Sequence, residues 1–390
     1  MGAVVREQEF AGLRWLVVSG EREDAFRALG ETARTEVRAV LESLPEGGPL
    51  RRWAATGRGR ARLDGVLRAS EARHPAEVAE ARALAVGAGV DTETLLLANL
   101  RGDLGGDDGT GCTDLAWRRG RSYVAHNEDG APVLAGRLML LTLRIEGEAP
   151  VTVEWYPGFL PANTFTATGH GLVWGINHIQ AARPAADAAG RHFVARGLQR
   201  ARTLDEAVAY LRSCPSAGGF AYTIGEAASG RVVVVEAVAG RAAVVEAGAP
   251  GGDPLHWHTN HLRHLPPLDV AEEGARGASA TRHLGQYEES AARGAALSRL
   301  RQPAAEPTTG WFLDALTSAP LPDGVHRTAR GADPLMTLCT AVADLTADRI
   351  TLRSAGGAEQ TTRLSSFARG ETASARPPGL ARTTARGTGR

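Results

Sequence analysis

Cysteine is scarce in this 390-residue chain, three in all, and one of them, Cys112, stands directly after the glycine-rich stretch GDDGTG (106–111). A thiol becomes a nucleophile only when a base is near and a substrate can approach. If the chain were cut before Cys112, the residue would become a new N-terminus at the edge of a sheet. Its own α-amino group, with an ordinary pKa near ~8, would then lie within reach of the thiol as general base. Cys214 and Cys339 lack such a setting and read as small buried apolar residues. A second chemistry is offered by His256, His258, His261 and His264, because HxH on a strand with further histidines is a zinc pattern. That reading would make the protein a metallohydrolase. However, His256 and His258 share one strand face, His261 and His264 fall beyond the strand end, and no HExxH or paired-cysteine motif accompanies them. The loop GDLGGDDGTG (102–111) fails the EF-hand pattern, since Gly105 stands where an oxygen ligand is needed and no closing Glu follows. No metal and no cofactor is therefore expected.

The elements that must position these residues can be read from periodicity. Residues 24–45 and 74–100 carry apolar positions three or four apart, so the first hundred residues read as mainly helical. From Cys112 the period becomes two: CTDLAW and SYVAHNEDG form a hairpin around RRGR, and strands follow at 137–147, 151–158 and 163–179. A helical pattern at 192–213 includes T-L-D-E (203–206), a capping-box start. Four strands fall within 220–261, helices at 279–300 and 309–318, and strands at 336–345 and 349–355. Strand groups alternating with helix groups suggest α+β layers, antiparallel sheets flanked by helices. The division expected is a mainly helical segment 1–111, a catalytic core 112–365 and a disordered Arg-rich tail 366–390.

Composition removes several functions. Lys+Arg and Asp+Glu are both 44, so no net field favours nucleic acid or an anionic membrane, and a small molecule is the default partner. The chain has no lysine, which excludes a Schiff-base lysine, a pyridoxal-phosphate anchor and a phosphate-loop lysine. Widely spaced, odd-numbered cysteines do not form a disulfide framework, and the opening MGAVVREQEF with the short WLVVSG is no signal core or membrane span. A cytoplasmic setting is expected.

The order Gly111-Cys112, Asn127-Glu128-Asp129 in HNEDG, PGFLPANTFTATGHGLVWGIN (157–177) and HTNH (258–261) resembles the acyl-coenzyme A:6-aminopenicillanate acyltransferase-like group of N-terminal-nucleophile hydrolases. That group includes β-alanyl-amine hydrolases, to which the HNEDG form is more similar. The likeness spans roughly 95–265 and more weakly 279–355. It implies a four-layer αββα sandwich, self-cleavage between Gly111 and Cys112 into fragments that stay associated, and a thioester acyl-enzyme on Cys112. By the same resemblance Asp129 would orient the new α-amino group or the substrate, Asn127 would hold the hairpin, and Asn260 would donate to the oxyanion. Asn177, Ser279 and Arg282 would shape or border the pocket.

The chain is thus expected to be a cysteine amidohydrolase or acyltransferase acting on a small amide or acyl-CoA-like compound, with specialised metabolism as the setting. The rival readings are the zinc hydrolase and a non-catalytic binding protein that keeps the fold.

Overall fold

The computed structural model of the protein describes residues 2–104, 111–181, 184–266, 279–303, 305–331 and 333–372, the side chains of 279–287 excepted. In chain order its strands are β1 (Val4–Phe10), β2 (Leu13–Gly20), β3 (Thr113–Arg119), β4 (Arg121–Gly130), β5 (Met139–Ile145), β6 (Val151–Trp155), β7 (Thr166–Thr168) and β8 (Leu172–His178). They continue as β9 (Gly219–Glu226), β10 (Val232–Val238), β11 (Arg241–Glu246), β12 (Leu255–His258), β13 (Met336–Asp344), β14 (Arg349–Ser354) and β15 (Glu359–Arg363). The helices are α1 (Arg22–Thr32), α2 (Arg34–Ser43), α3 (Gly47–Ala54), α4 (Gly57–Arg73), α5 (Pro75–Ala88) and α6 (Thr92–Leu100), then α7 (Arg191–Leu198), α8 (Leu204–Ser213), α9 (Ser279–Ser298), α10 (Thr309–Thr317) and α11 (Leu364–Ala368).

The run VVVVEAV of β10 shows how the layers arise. Successive side chains of a strand point to opposite faces, and here both faces are buried: Val232 and Val234 join the large core between the sheets, while Val233 and Val235 pack with Val194 and Leu198 of α7 and Leu204 and Leu211 of α8. A nine-stranded sheet runs β1-β2-β5-β6-β7-β8-β9-β10-β11, and a six-stranded sheet runs β12-β3-β4-β13-β14-β15. In the second, Ala116, Val124 and Ala341 face inward, and Leu115, Trp117, Tyr123 and Val342 pack with Phe312, Leu313 and Leu316 of α10. The result is an αββα sandwich with two sheets face to face between helices, as expected.

Two differences concern the ends of the chain. The opening segment does carry six helices, but before them β1 and β2 form a hairpin, and β2 pairs in parallel with β5 from Trp15↔Leu140 to Gly20↔Ile145. The periodicity of β1 hides it because VVREQEF is an edge strand with most side chains outward. At the other end, residues 366–372 are not a disordered tail. Phe367 is fully buried, its ring centroid 5.1 Å from Trp15 and 6.0 Å from Phe10. Burying such a ring is worth about 1.5–3 kcal/mol, enough to hold a short helix on the core. Residues 373–390 lie outside the described residues. Between these ends the 192–213 pattern is divided into α7 and α8, and Thr203 caps α8 by accepting from Glu206 N (3.2 Å).

Candidate active site

The hairpin β3–β4 pairs from Thr113↔Asn127 to Arg119↔Arg121 around Gly120. Strand alternation splits HNED between its two faces: Asn127 and Asp129 look toward the helices, His126 and Glu128 toward the other sheet. Asn127 is fastened at both ends of its amide, donating to Leu316 O (2.8 Å) and accepting from Thr340 Oγ1 (2.6 Å). Asp129 accepts from Thr337 Oγ1 at Oδ1 (2.7 Å), whereas its buried Oδ2 has no partner among the described residues. Burial pushes the Asp129 carboxyl up to about 7, against the pull of Arg327, Arg293 and the Thr337 hydroxyl. Its backbone oxygen receives Gly111 N–H at 3.4 Å. Gly111 fits because a Cβ there would press on Arg327 Nη1 at 2.9 Å and Leu335 Cδ1 at 3.0 Å.

Cys112 enters from the inner face and is sealed, with 3% of its surface exposed. Its Sγ, a ring nitrogen of His126 and a carboxylate oxygen of Glu128 all lie within 4.8 Å of one another. His126 is held between Asp114 Oδ1 (2.6 Å from Nδ1) and Glu128 Oε2 (2.9 Å from Nε2), and Tyr156 donates to Glu128 Oε1 (2.8 Å). Burial opposes a charge on His126, but the flanking Asp114 and Glu128 outweigh it and hold the imidazole well above its ordinary range. Burial, then Glu128 and Asp129, push the Cys112 thiol up. Glu154 faces the same group with no N–H or O–H donor on either oxygen among the described residues, and burial raises it to about 7, with His126 and the Cys339 thiol pulling down and Glu128 pushing up. Opposite them Gly175 of β8 leaves room, since a Cβ there would strike the Asp114 carboxylate and come within 2.7 Å of His126 Nδ1. None of Asp114, His126, Glu128 and Tyr156 was singled out by sequence. The signal was the period of two itself: the register pairs Asp114 with His126 and Thr113 with Asn127, and, extended one residue toward the Gly111–Asp129 contact, sets Cys112 beside Glu128.

Asn260 reaches Cys112 along the neighbouring strand. β12 pairs His258 with Asp114, so Asn260, two residues later, is level with Cys112. Arg293 of α9 ties the two together, donating from Nη1 to Cys112 O (2.6 Å) and Thr113 Oγ1 (2.9 Å) and from Nη2 to Asn260 Oδ1 (2.6 Å). The Asn260 amide nitrogen donates to His178 O (2.9 Å). Asn177 accepts from His258 at 3.1 Å, and its buried Nδ2 has no partner among the described residues. Ser279 and Arg282 lie in the first turn of α9, and their side chains are outside the described residues, as are loop residues 105–110.

Among the described residues the ligand atoms of the four histidines do not converge on one point. Among the described residues the group of three with converging ligand atoms is Cys112, His126 and Glu128, not the four histidines. His258 is occupied by Asn177 and by Glu236 Oε1 (3.1 Å), and His261 Nδ1 by Ser290 Oγ (2.8 Å) and Thr259 Oγ1 (3.0 Å). His258 and His261 thus serve separate hydrogen bonds, and the buried Nε2 of His264 has no partner among the described residues.

The αββα sandwich is of the N-terminal-nucleophile hydrolase type. The family model for acyl-coenzyme A:6-aminopenicillanic acid acyl-transferase matches residues 117–359, and the chain belongs to that family. No curated protein sequence matches the chain. Among solved structures it is similar to a variant of conjugated bile acid hydrolase from Clostridium perfringens, at 11% identity over 65% of this chain and 92% of that one, with a TM-score of 0.37. It is also similar to penicillin V acylase from Agrobacterium tumefaciens, at 13% identity over 63% of this chain and 83% of that one, with a TM-score of 0.33. No helix among the described residues is long and apolar enough to cross a membrane.

Proposed function

We propose that the protein is a self-processing cysteine amidohydrolase or acyltransferase: the Gly111–Cys112 bond is cut, and Cys112 then carries the acyl group of a small amide or acyl-CoA-like donor as a thioester. The observation that carries this reading is the buried Oδ2 of Asp129, without a partner among the described residues, on the residue whose backbone oxygen receives Gly111 N–H. A buried carboxylate oxygen without a donor is costly. A new α-ammonium on Cys112 supplies the missing donor and a positive charge, and so lowers the Asp129 pKa from about 7. Asn260, bonded to the same Arg293 as Cys112 O, offers its second amide hydrogen to the oxyanion in this reading, which the shared arginine supports. Water or an amine at the thioester then decides between hydrolysis and transfer.

The pairing of β2 with β5 supports the continued association of fragments 1–111 and 112–390. Three free thiols suit a reducing compartment such as the cytoplasm. The intact mass of the purified protein tests the proposal: two associated fragments are expected from wild type and a single chain from Cys112→Ala. A wild type that stays uncut while hydrolysing short-chain acyl p-nitroanilides overturns it.

A further inference from the structure

The self-cleavage just proposed cannot use the base that serves turnover. In the uncut chain the nitrogen of Cys112 is the amide nitrogen of the bond to be broken, and its lone pair is delocalised into the Gly111 carbonyl. Another group must take the thiol proton, and the thiol is buried where bulk water does not reach it.

The inner face of β4 offers the groups to consider. His126 has its two ring nitrogens directed at carboxylate oxygens, Asp114 Oδ1 at 2.6 Å and Glu128 Oε2 at 2.9 Å. Flanked this way it carries a proton on each nitrogen and has no lone pair to offer. Asp129 projects from the other face of β4, toward Thr337 and the arginines. Asp114 lies behind the imidazole and is not in the group of atoms converging on Sγ. Glu128 remains: a carboxylate oxygen within 4.8 Å of Sγ, on a residue that the register sets beside Cys112.

We propose that Glu128 is the general base of self-cleavage, a role that rests on the maturation reading above. Glu128 takes the proton from Cys112 Sγ. The thiolate attacks the Gly111 carbonyl carbon, forming the S–C bond and moving the carbonyl π pair onto oxygen. When the oxyanion collapses, the C–N bond to Cys112 breaks, and the leaving nitrogen takes the proton back from the Glu128 carboxylic acid. This leaves a Gly111 thioester on Sγ and a free α-amino group. With the C–N bond broken, Gly111 can move away and admit water, which adds to the thioester carbonyl; the C–S bond breaks, one proton of the water goes to sulfur and the other to the α-amino group, and a Gly111 carboxylate and an N-terminal cysteine with its α-ammonium result. His126 Nε2–H and Tyr156 O–H, each on a different oxygen of Glu128, are positioning residues that fix the carboxylate.

The same strand residue pair therefore has two stages of use. Glu128 acts on the inner face before the cut, and Asp129, on the opposite face, receives the ammonium after it.

The test is a time course of intact mass on freshly purified full-length protein. Glu128→Gln keeps the shape and loses the base, so cutting is expected to slow by about 10²–10⁴-fold, the usual contribution of a general base. Glu128→Gly with added formate is expected to regain part of the rate, a rescue that a purely structural role would not show. Glu128→Gln that folds, as judged by its melting temperature, and cuts at the wild-type rate overturns the proposal. If that variant does not fold, Glu128→Asp decides: it is expected to cut more slowly than wild type, and an equal rate overturns the proposal too. A wild type that is never cut fails the maturation reading itself, a result distinct from a wild type that cuts alongside an equally fast Glu128 variant.

Discussion

Two buried histidines lie between the sheets, each against a glutamate, and the two groups are neutralised in different ways. His258 points at Asn177 and Glu236, and Glu236 also receives backbone N–H groups from Arg263 (2.6 Å), His264 (3.1 Å) and Leu265 (2.7 Å). Burial works to raise Glu236, but His258 and the amides of Leu265 and Arg263 outweigh it and hold the carboxyl down to about 2. At His126 the partners are carboxylates on both sides, and among the described residues Asp114 Oδ2 and both oxygens of Glu154 receive no N–H or O–H, the Cys339 thiol being the one side-chain donor to Glu154. Backbone donors are fixed and do not titrate. They make the His258 group a clamp that anchors the chain after Asn260. On the maturation reading proposed above, the carboxylates around His126 make that group the place where protons move, and the Cys112 thiol lies within 4.8 Å of it.

The comparison can be broken most sharply through Glu236. Glu236→Ala strands His258 and three backbone N–H groups, and should cost about 3–5 kcal/mol of stability in urea unfolding, the scale of breaking a buried pair. Glu154→Gln, which removes a buried carboxylate without a charged or N–H partner among the described residues, should leave stability at pH 8 unchanged or raised. If both variants lose stability equally, the distinction between clamp and reactive group is gone.

A smaller effect is expected where the two regions meet. Asn260→Ala should lower kcat by roughly 10²–10³, the usual cost of losing one oxyanion donor, with little change in KM. Steady-state kinetics on the mature variant with short-chain acyl p-nitroanilides checks this, with a melting temperature near wild type as the control. An unchanged kcat would leave Asn260 as a strand-end residue and turn attention to the Asn177 Nδ2, which has no partner among the described residues.

The smallest effect is on pH dependence. Glu236 is depressed to about 2, so its stabilisation is present above an ordinary carboxyl pKa of about 4 and is lost as pH falls toward 2. Asp129 and Glu154 are raised to about 7, so the uncut chain is relatively favoured below about 4 and loses that advantage as pH rises through 7. Melting temperatures of Cys112→Ala across pH 2–8 should show both slopes. Adding Glu154→Gln should flatten the upper one only, and flattening of the lower slope instead would reverse the assignment.

Much of the fold was legible. The switch to a period of two at Cys112, the hairpin and the valine run of β10 are local patterns, and local patterns decide strands. β1 was hidden because an edge strand with charged residues outward lacks an apolar face. The placement of Phe367 was hidden because nothing near it in sequence shows that Phe10 and Trp15 wait for it. In the site, the order of motifs pointed to Cys112, Asp129 and Asn260, but attention to Asn-x-Asp passed over the other half of HNED. Asp114, Arg293 and Tyr156 come from separate elements, and only the folded chain brings them to the same thiol or its carbonyl.

The parallel seam between β2 and β5 has a further consequence for any cut at Gly111. No hydrogen bond of the seam is lost, yet the molecularity of folding changes. Before the cut the two strands find each other as parts of one chain, at an effective concentration set by the connecting residues. Afterwards the same encounter is between two molecules, so recovery from unfolding becomes second order and dilution works against it. The mature enzyme would persist through slow unfolding rather than through easy return to the native state.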